Sequence, residues 1–452
     1  MLKFVLPAIV AVSAVFAPSC AADLQTAVRL RDAALADKTA WTMLESLTTE
    51  IGARPIASPA YERARPWAEA ELKALGFTNI RTESFEKDVW QRGAESAEIV
   101  GPYPHKLAVI GLGGSQPTPK NGIEAEVVVL KSYAALVAAP EGAFKGKIVV
   151  VNQPMTRTQD GSGYGAAVAA RYGHGEAAKR GAVAYLTRSI STSQSRAPHT
   201  GTGGVAKIPA AALGVPDADL LERMAARGPV RLRLVLNSSI KPRSTLWNIS
   251  GEIEGSEKPQ DVIVVGGHLD SWDPGTGAID DGAGVSITAA AAHLIGQLSR
   301  HPRRTIRVVF WGSEENGGSS DAYAAAHKDE IKNLVLTGES DLGADAVFKL
   351  ELPAAVKTAP EFAAISTVLA PLKVIVAPSP AAHAGSDTEG LQAAGVPVMS
   401  FRNDATRYFD YHHSADDTLA VVDPAGLSQN VATWAATLYL LADSEIDFRA
   451  KP

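Results

Sequence analysis

Cysteine is almost missing from this chain: Cys20 is the one example among 452 residues. That excludes an intrachain disulfide and any cysteine-built zinc module. A surplus of positive charge is missing as well. The 43 lysines and arginines fall short of the 49 aspartates and glutamates, for a net charge of −6. The chain therefore has no basic footprint for nucleic acid or for an anionic membrane surface. Long apolar runs are scarce. The run from Phe4 to Phe16 is shorter than the ~20 residues of a membrane-spanning helix, and no later segment is long and apolar enough to cross a bilayer. No Gly-x-Ser-x-Gly elbow occurs, which argues against a serine hydrolase.

What is present is an ordinary globular balance, 46% hydrophobic and 20% charged, which excludes a disordered chain. One hydrophobic core stops growing beyond ~250–300 residues, so the length implies two or three domains. At the N-terminus, Lys3 precedes the apolar run, and Ser19-Cys20-Ala21-Ala22 follow it before Asp23. This pattern reads as a signal peptide over residues 1–22, cut after Ala22, and it predicts a secreted or periplasmic protein. An uncleaved N-terminal anchor is the competing reading; lipid attachment at Cys20 is another, but Ala17-Pro18-Ser19 matches such a signal poorly.

Ser58-Pro59 reads as a helix N-cap with proline in the first turn, and Gly76 as its stop, before strand-like alternation from Phe77 to Phe85. From about Ile110 to Leu236 the texture becomes short β runs, Ala125–Leu130, Lys147–Asn152 and Val230–Leu236, around one helix-to-strand unit, Gly175–Leu186. The glycine cluster Asp160–Gly165 does not join a strand to a helix as a dinucleotide site requires, so it reads as a loop. After Thr245 the pattern is alternation over Leu246–Glu254, then buried strands at Val262–Val265 and Thr305–Trp311 around the alanine-rich helix Val285–Leu298. Later strands follow at Lys373–Ala377 and Val396–Phe401. Buried strands alternating with helices imply an α/β sheet covered on both faces, with the middle segment as a separate module.

Acidic residues and histidines gather where those strands end, which is where open α/β sheets bind ligands. His268 and Asp270 share a face of extended chain, so the carboxylate can approach the imidazole and set its tautomer. Asp280-Asp281 among glycines either caps the following helix or bends a carboxylate towards a cation. Glu314-Glu315 directly follows a buried strand. Neighbouring buried carboxylates repel unless a cation neutralises them or one holds a proton, which suggests one ligand and one general base. Gly338–Asp341 and Tyr411–Thr418, with its double histidine, complete the set. Each station alone also fits an unremarkable loop. Together, a bridging aspartate, a glutamate and a second aspartate against two divalent cations leave one positive charge for a shared hydroxide to cancel. Histidine and carboxylate donors suit zinc best, with cobalt or manganese as substitutes.

The runs His268-Leu269-Asp270-Ser271-Trp272-Asp273, Gly277-Ala278-Ile279-Asp280-Asp281-Gly282, Ser313-Glu314-Glu315, Asp341 and His413-Ser414-Ala415-Asp416-Asp417-Thr418 resemble the M28 family of co-catalytic zinc exopeptidases. The Ser-Trp-Asp and Gly-Ala-x-Asp-Asp details are most similar to a carboxypeptidase branch of it. The resemblance implies a mixed sheet flanked by helices, the zinc exopeptidase fold. Residues 23–110 and 242–452 would form the catalytic domain and residues 111–241 an inserted, β-rich protease-associated domain. It implies His268 and Asp341 on one Zn²⁺ and Glu315 and His413 on the other, with Asp280 bridging. Glu314 would be the catalytic base and Asp270 the partner of His268. Tyr408 and Tyr411 are candidates for oxyanion or substrate contact. Gly385-Ser386-Asp387 departs from the family pattern at Thr388, so Asp387 is expected to be structural. The implied substrates are dipeptides or short peptides, and the implied assembly is a homodimer. An aminopeptidase of the same family is the competing activity. A non-catalytic, receptor-like ectodomain is disfavoured, because no ligand position is missing.

Overall fold

The computed structural model describes residues 23–378 and 385–450. The expected signal peptide and Cys20 lie outside the described residues. Ser58 caps the helix Pro59–Ala74 by accepting the Tyr61 amide. The chain then leaves on a strand far longer than the alternation predicts, Thr78–Gly101.

That strand pairs antiparallel with an equally long one, Arg231–Ile253, along almost their whole lengths. Val230–Leu236 and Leu246–Glu254, expected as separate strands, are therefore one ribbon. The alternation fails between them because residues 239–243 are exposed or half-buried, in a stretch that runs through solvent between two cores. On one side the returning strand pairs with Arg304–Trp311, which is parallel to Lys258–His268, in turn parallel to Leu334–Glu339. At its other end, along the same edge, it pairs with Ile123–Leu130, followed by the parallel strands Ile148–Val151, Ala184–Arg188 and Ala210–Leu213. One mixed sheet of eleven strands thus spans both units, and Val347–Leu352, Ile375–Pro378 and Ser400–Asn403 form a second, small sheet. The strands Leu334–Glu339 and Val347–Leu352 are not among those expected from the sequence. Asp160–Gly165 is a loop only at its start, because Asp160 accepts the Ser162 amide and a short helix, Ser162–Ala167, begins there.

The cores divide along the ribbon. Residues from Ala27 to Val89 and from Leu246 to Phe448 pack into the larger one. Ala97, Ile99 and Leu107 on the way out, and Leu232, Leu234 and Leu236 on the way back, belong to the middle unit. A further cluster covers the other face of its sheet. In the larger unit the helix Ala283–Gly296 is buried on nearly every side, against the sheet and the C-terminal helix Pro424–Ala442. Its alanines allow that, and its first turn needs still less bulk: a side-chain carbon at Gly284 would stand 1.8 Å from the Ser340 carbonyl oxygen. The helix N-terminus therefore docks directly on the ends of the parallel strands. Among the described residues no helix is long and apolar enough to cross a membrane.

Candidate metal centre

The three parallel strands end side by side and deliver the first donors. His268 closes one strand, Glu314 and Glu315 follow the next after Trp311, and Asp341 stands two residues beyond the third. Asp280 comes from the loop ahead of the buried helix, and His413 follows the short helix Tyr408–Tyr411. Asp280 lies at the centre. Its Oδ1 is 3.2 Å from His268 Nε2, and its Oδ2 is 3.1 Å from His413 Nε2. His413 Nε2 is 3.0 Å from Glu315 Oε2, and Asp341 Oδ1 is 3.7 Å from His268 Nε2. All five side chains implied as ligands converge.

The two adjacent aspartates face different partners. Asp281 accepts the amides of Gly284 and His268, each at 3.0 Å, and so ties the helix start to the strand end. Its neighbour is left free to face the histidines. Asp417 accepts the amides of Ala278 and Ile279, each at 2.8 Å, and holds the same loop from the far side. Arg54 is fully buried beneath it and donates to the carbonyls of Leu269, Thr276 and Gly277. Burial pulls its pKa down to about 10, against the pull of Asp417 and Asp270, so it remains a cation at neutral pH.

Asp270 meets His268 differently from the expectation. Nδ1 of the ring donates to the backbone carbonyl of Asp270 at 2.9 Å, and the carboxylate Oδ1 is farther, at 3.5 Å. With its proton on Nδ1, the ring turns the Nε2 lone pair towards Asp280. The Asp270 carboxylate instead accepts the Glu314 amide at 3.0 Å, linking the two strand ends. Of the two adjacent histidines, His413 makes the short contacts, whereas His412 stacks on it at 3.5 Å and lies 3.6 Å from Asp280. His413 sits at φ 61°, a left-handed conformation costing on the order of 1 kcal/mol for such a residue. Thr200 of the middle unit stabilises it, donating its amide to the His413 carbonyl at 2.9 Å and facing Nδ1 with its own carbonyl at 3.3 Å.

These residues fit a metal. Buried oxygens of Asp280, Glu315 and Asp341 have no hydrogen-bond partner, an arrangement that suits a cation held among them. Three overlapping sets, His268/Asp280/Glu315, His268/Asp281/Asp341 and Asp280/His412/His413, each bring donor atoms within 4.8 Å of one another. Burial pushes the Glu315 carboxyl up to about 8, with Asp280 and Glu314 adding to the rise against His413. Carboxylates this crowded stay ionised together at neutral pH only when cations sit among them.

Glu314 is set apart from this group, 3.9 Å from His268 Nε2 and partly open to a cleft of 580 Å³. Burial raises its carboxyl to about 7, with Asp341 adding to the rise against His268. Tyr408 lines the cleft and burial keeps its phenol neutral. Tyr411 does not line it; it borders a separate small void, which Tyr408 also lines, so of the two tyrosines Tyr408 is the one on the cleft. Asp387 is fully buried with neither oxygen hydrogen-bonded, its carboxyl held well above its usual range by burial and by Glu339. No local pattern announces the contributions from the middle unit: Tyr164, Arg171 and Thr202 line the cleft, and His199 lies close to His412.

His199 makes folding sensitive to acid. Burial, with the nearby charges of His413 and Arg171, lowers its pKa from 6.5 to about 3. The unfolded chain takes up that proton first, so stability falls as the pH drops below 6.5. The loss is up to about 1.4 kcal/mol per pH unit. His199→Gln should flatten the denaturation midpoint between pH 6 and 4 relative to wild type; equal slopes would show that the ring titrates normally.

A mixed sheet with histidine and carboxylate donors gathered over the ends of its parallel strands is the arrangement of a metal-dependent hydrolase. The model of peptidase family M28 matches residues 248–438. Carboxypeptidase Q of Bos taurus is 39% identical over 417 residues, covering 91% of this chain and 86% of its own. The crystal structure of a peptidase M28 precursor from Shewanella amazonensis superposes with a TM-score of 0.91 at 39% identity, over 95% of this chain and 98% of that one. A zinc aminopeptidase from Bacillus subtilis shares the fold at 19% identity, with a TM-score of 0.67 over 90% and 95% of the two chains. The chain belongs to peptidase family M28. It is a peptidase.

Proposed function

We propose that the protein is an exported, metal-dependent exopeptidase that cleaves dipeptides or short peptides with a two-zinc centre, as a carboxypeptidase of the carboxypeptidase Q kind. The observation that carries the reading is the gathering of four donor side chains, those of His268, Glu315, Asp341 and His413, around Asp280, with the carboxyl of Glu314 beside them on the cleft. His268 and Asp341 would hold one ion, Glu315 and His413 the other, and Asp280 both.

The chemistry such ions supply when bound is Lewis acidity, which makes a shared water more acidic and polarises the scissile carbonyl. Glu314 takes the proton of the attacking water at its carboxylate, which faces the cleft. It then returns the proton to the departing amine. Asp270 keeps Glu314 in place through its amide, and Tyr408 offers a neutral phenol to the carbonyl oxygen as negative charge grows there. The middle unit, read as a protease-associated insert domain, walls the cleft and braces His413 through Thr200.

The shared fold of zinc aminopeptidases supports a second reading, in which the free amine is the recognised terminus. Hydrolysis of a dipeptide, its N-acetyl form and its C-terminal amide separates the two. A carboxypeptidase cleaves the acetylated substrate and rejects the amide; the reverse pattern would establish the aminopeptidase. Chelation should abolish both activities, and added Zn²⁺ should restore them.

A further inference from the structure

The wall of the cleft supplied by the middle unit carries a charge that no carboxylate neutralises. Arg171 is 3% exposed, yet it lines the cleft with Glu314, Glu315 and His413. Its guanidinium lies over the Tyr164 ring, 5.4 Å from the centroid. It also flanks Gly201, where a side-chain carbon would stand 2.4 Å from Arg171 Nη1 and 2.8 Å from His413 Nδ1. Nε and Nη2 are buried and have no hydrogen-bond partner. Among the described residues no carboxylate lies within ion-pair distance of it. Of the acidic groups that line the cleft, Asp280, Glu314, Glu315 and Asp341 belong to the metal centre, and Asp321 and Glu389 make no ion pair with Arg171.

A buried guanidinium without a counter-charge is costly, and its planar fork matches a carboxylate better than any other small anion of a peptide. We propose that Arg171 binds the free terminal carboxylate of the substrate, and so selects the end of the peptide that is cleaved. This rests on the carboxypeptidase reading above. Successive Cα atoms are ~3.8 Å apart, so a carboxylate held beside His413 places the last peptide bond within one residue of the donors on the other side of that ring. Gly201 leaves the space for the guanidinium to reach this position.

The test uses the purified, zinc-loaded full chain with leucylalanine and leucylalaninamide. Wild type should favour the free acid by about 10²-fold in kcat/KM. Arg171→Gln should raise KM for leucylalanine by about 10²-fold, with kcat changed far less and cleavage of the amide unchanged. Arg171→Lys keeps the charge without the fork and should retain a preference of about tenfold; if the glutamine variant does not fold, a full wild-type preference in the lysine variant overturns the assignment. Equal loss on both substrates would mean that Arg171 only supports the wall, which also overturns it. A folded Arg171→Gln that still prefers the acid overturns the assignment and leaves the carboxypeptidase reading standing. A wild-type enzyme that cleaves acid and amide alike overturns both.

Discussion

Glu314→Gln should bind as much zinc as the wild type, unfold at the same temperature, and lose about 10²–10⁴-fold in kcat. The side chain faces the cleft and makes none of the shortest contacts around Asp280; it stands 3.9 Å from His268 Nε2. Glutamine keeps its size and leaves intact the backbone amide that Asp270 accepts. Only the capacity to take and return a proton disappears. KM for a short peptide should change little, because the carboxyl acts on the water rather than on substrate binding. Metal analysis and kcat on the same preparation check both halves. A variant with wild-type kcat would remove Glu314 from the base role; one that loses metal would make it a ligand.

Asp280→Asn should be the more damaging substitution for activity, because it would weaken the hold on both ions at once. The two carboxylate oxygens face different histidines, 3.2 and 3.1 Å away. An amide offers one oxygen and puts a donor where the other stood, facing His413. Metal retention after dialysis should fall for both sites, and kcat/KM should drop on the order of 10³-fold or more. Its neighbour supplies the control. Asp281→Asn disturbs the bonds to Gly284 and His268 and should lower stability by roughly 1–2 kcal/mol while leaving most bound metal in place. If the two variants behaved alike, the bridging role of Asp280 would be wrong.

Much of this centre was legible because each donor sits at an interruption of a strong local pattern. His268 ends a continuous apolar strand, Glu314 and Glu315 follow another, and Asp280 breaks a glycine-rich approach to an alanine-rich helix. What escaped was long-range. The ribbon Thr78–Gly101 with Arg231–Ile253 loses its alternation where it crosses solvent, so the returning strand reads as two. The strand Leu334–Glu339 is short and runs into Gly338-Glu339, which masks its period. Arg171, His199 and Thr200 reach the centre only through the packing of one unit on the other, and no local spacing announces that. Asp270 stands beside His268, yet the ring bonds its backbone carbonyl, and the partner of its carboxylate on the next strand, the Glu314 amide, depends on sheet register.

The most direct test of the account is the number of divalent ions held by the purified, folded protein, measured by elemental analysis against chain concentration after exhaustive dialysis. The arrangement around Asp280 predicts two zinc ions per chain, with activity rising in proportion to occupancy. An active, fully folded preparation that carries one ion or none would contradict it.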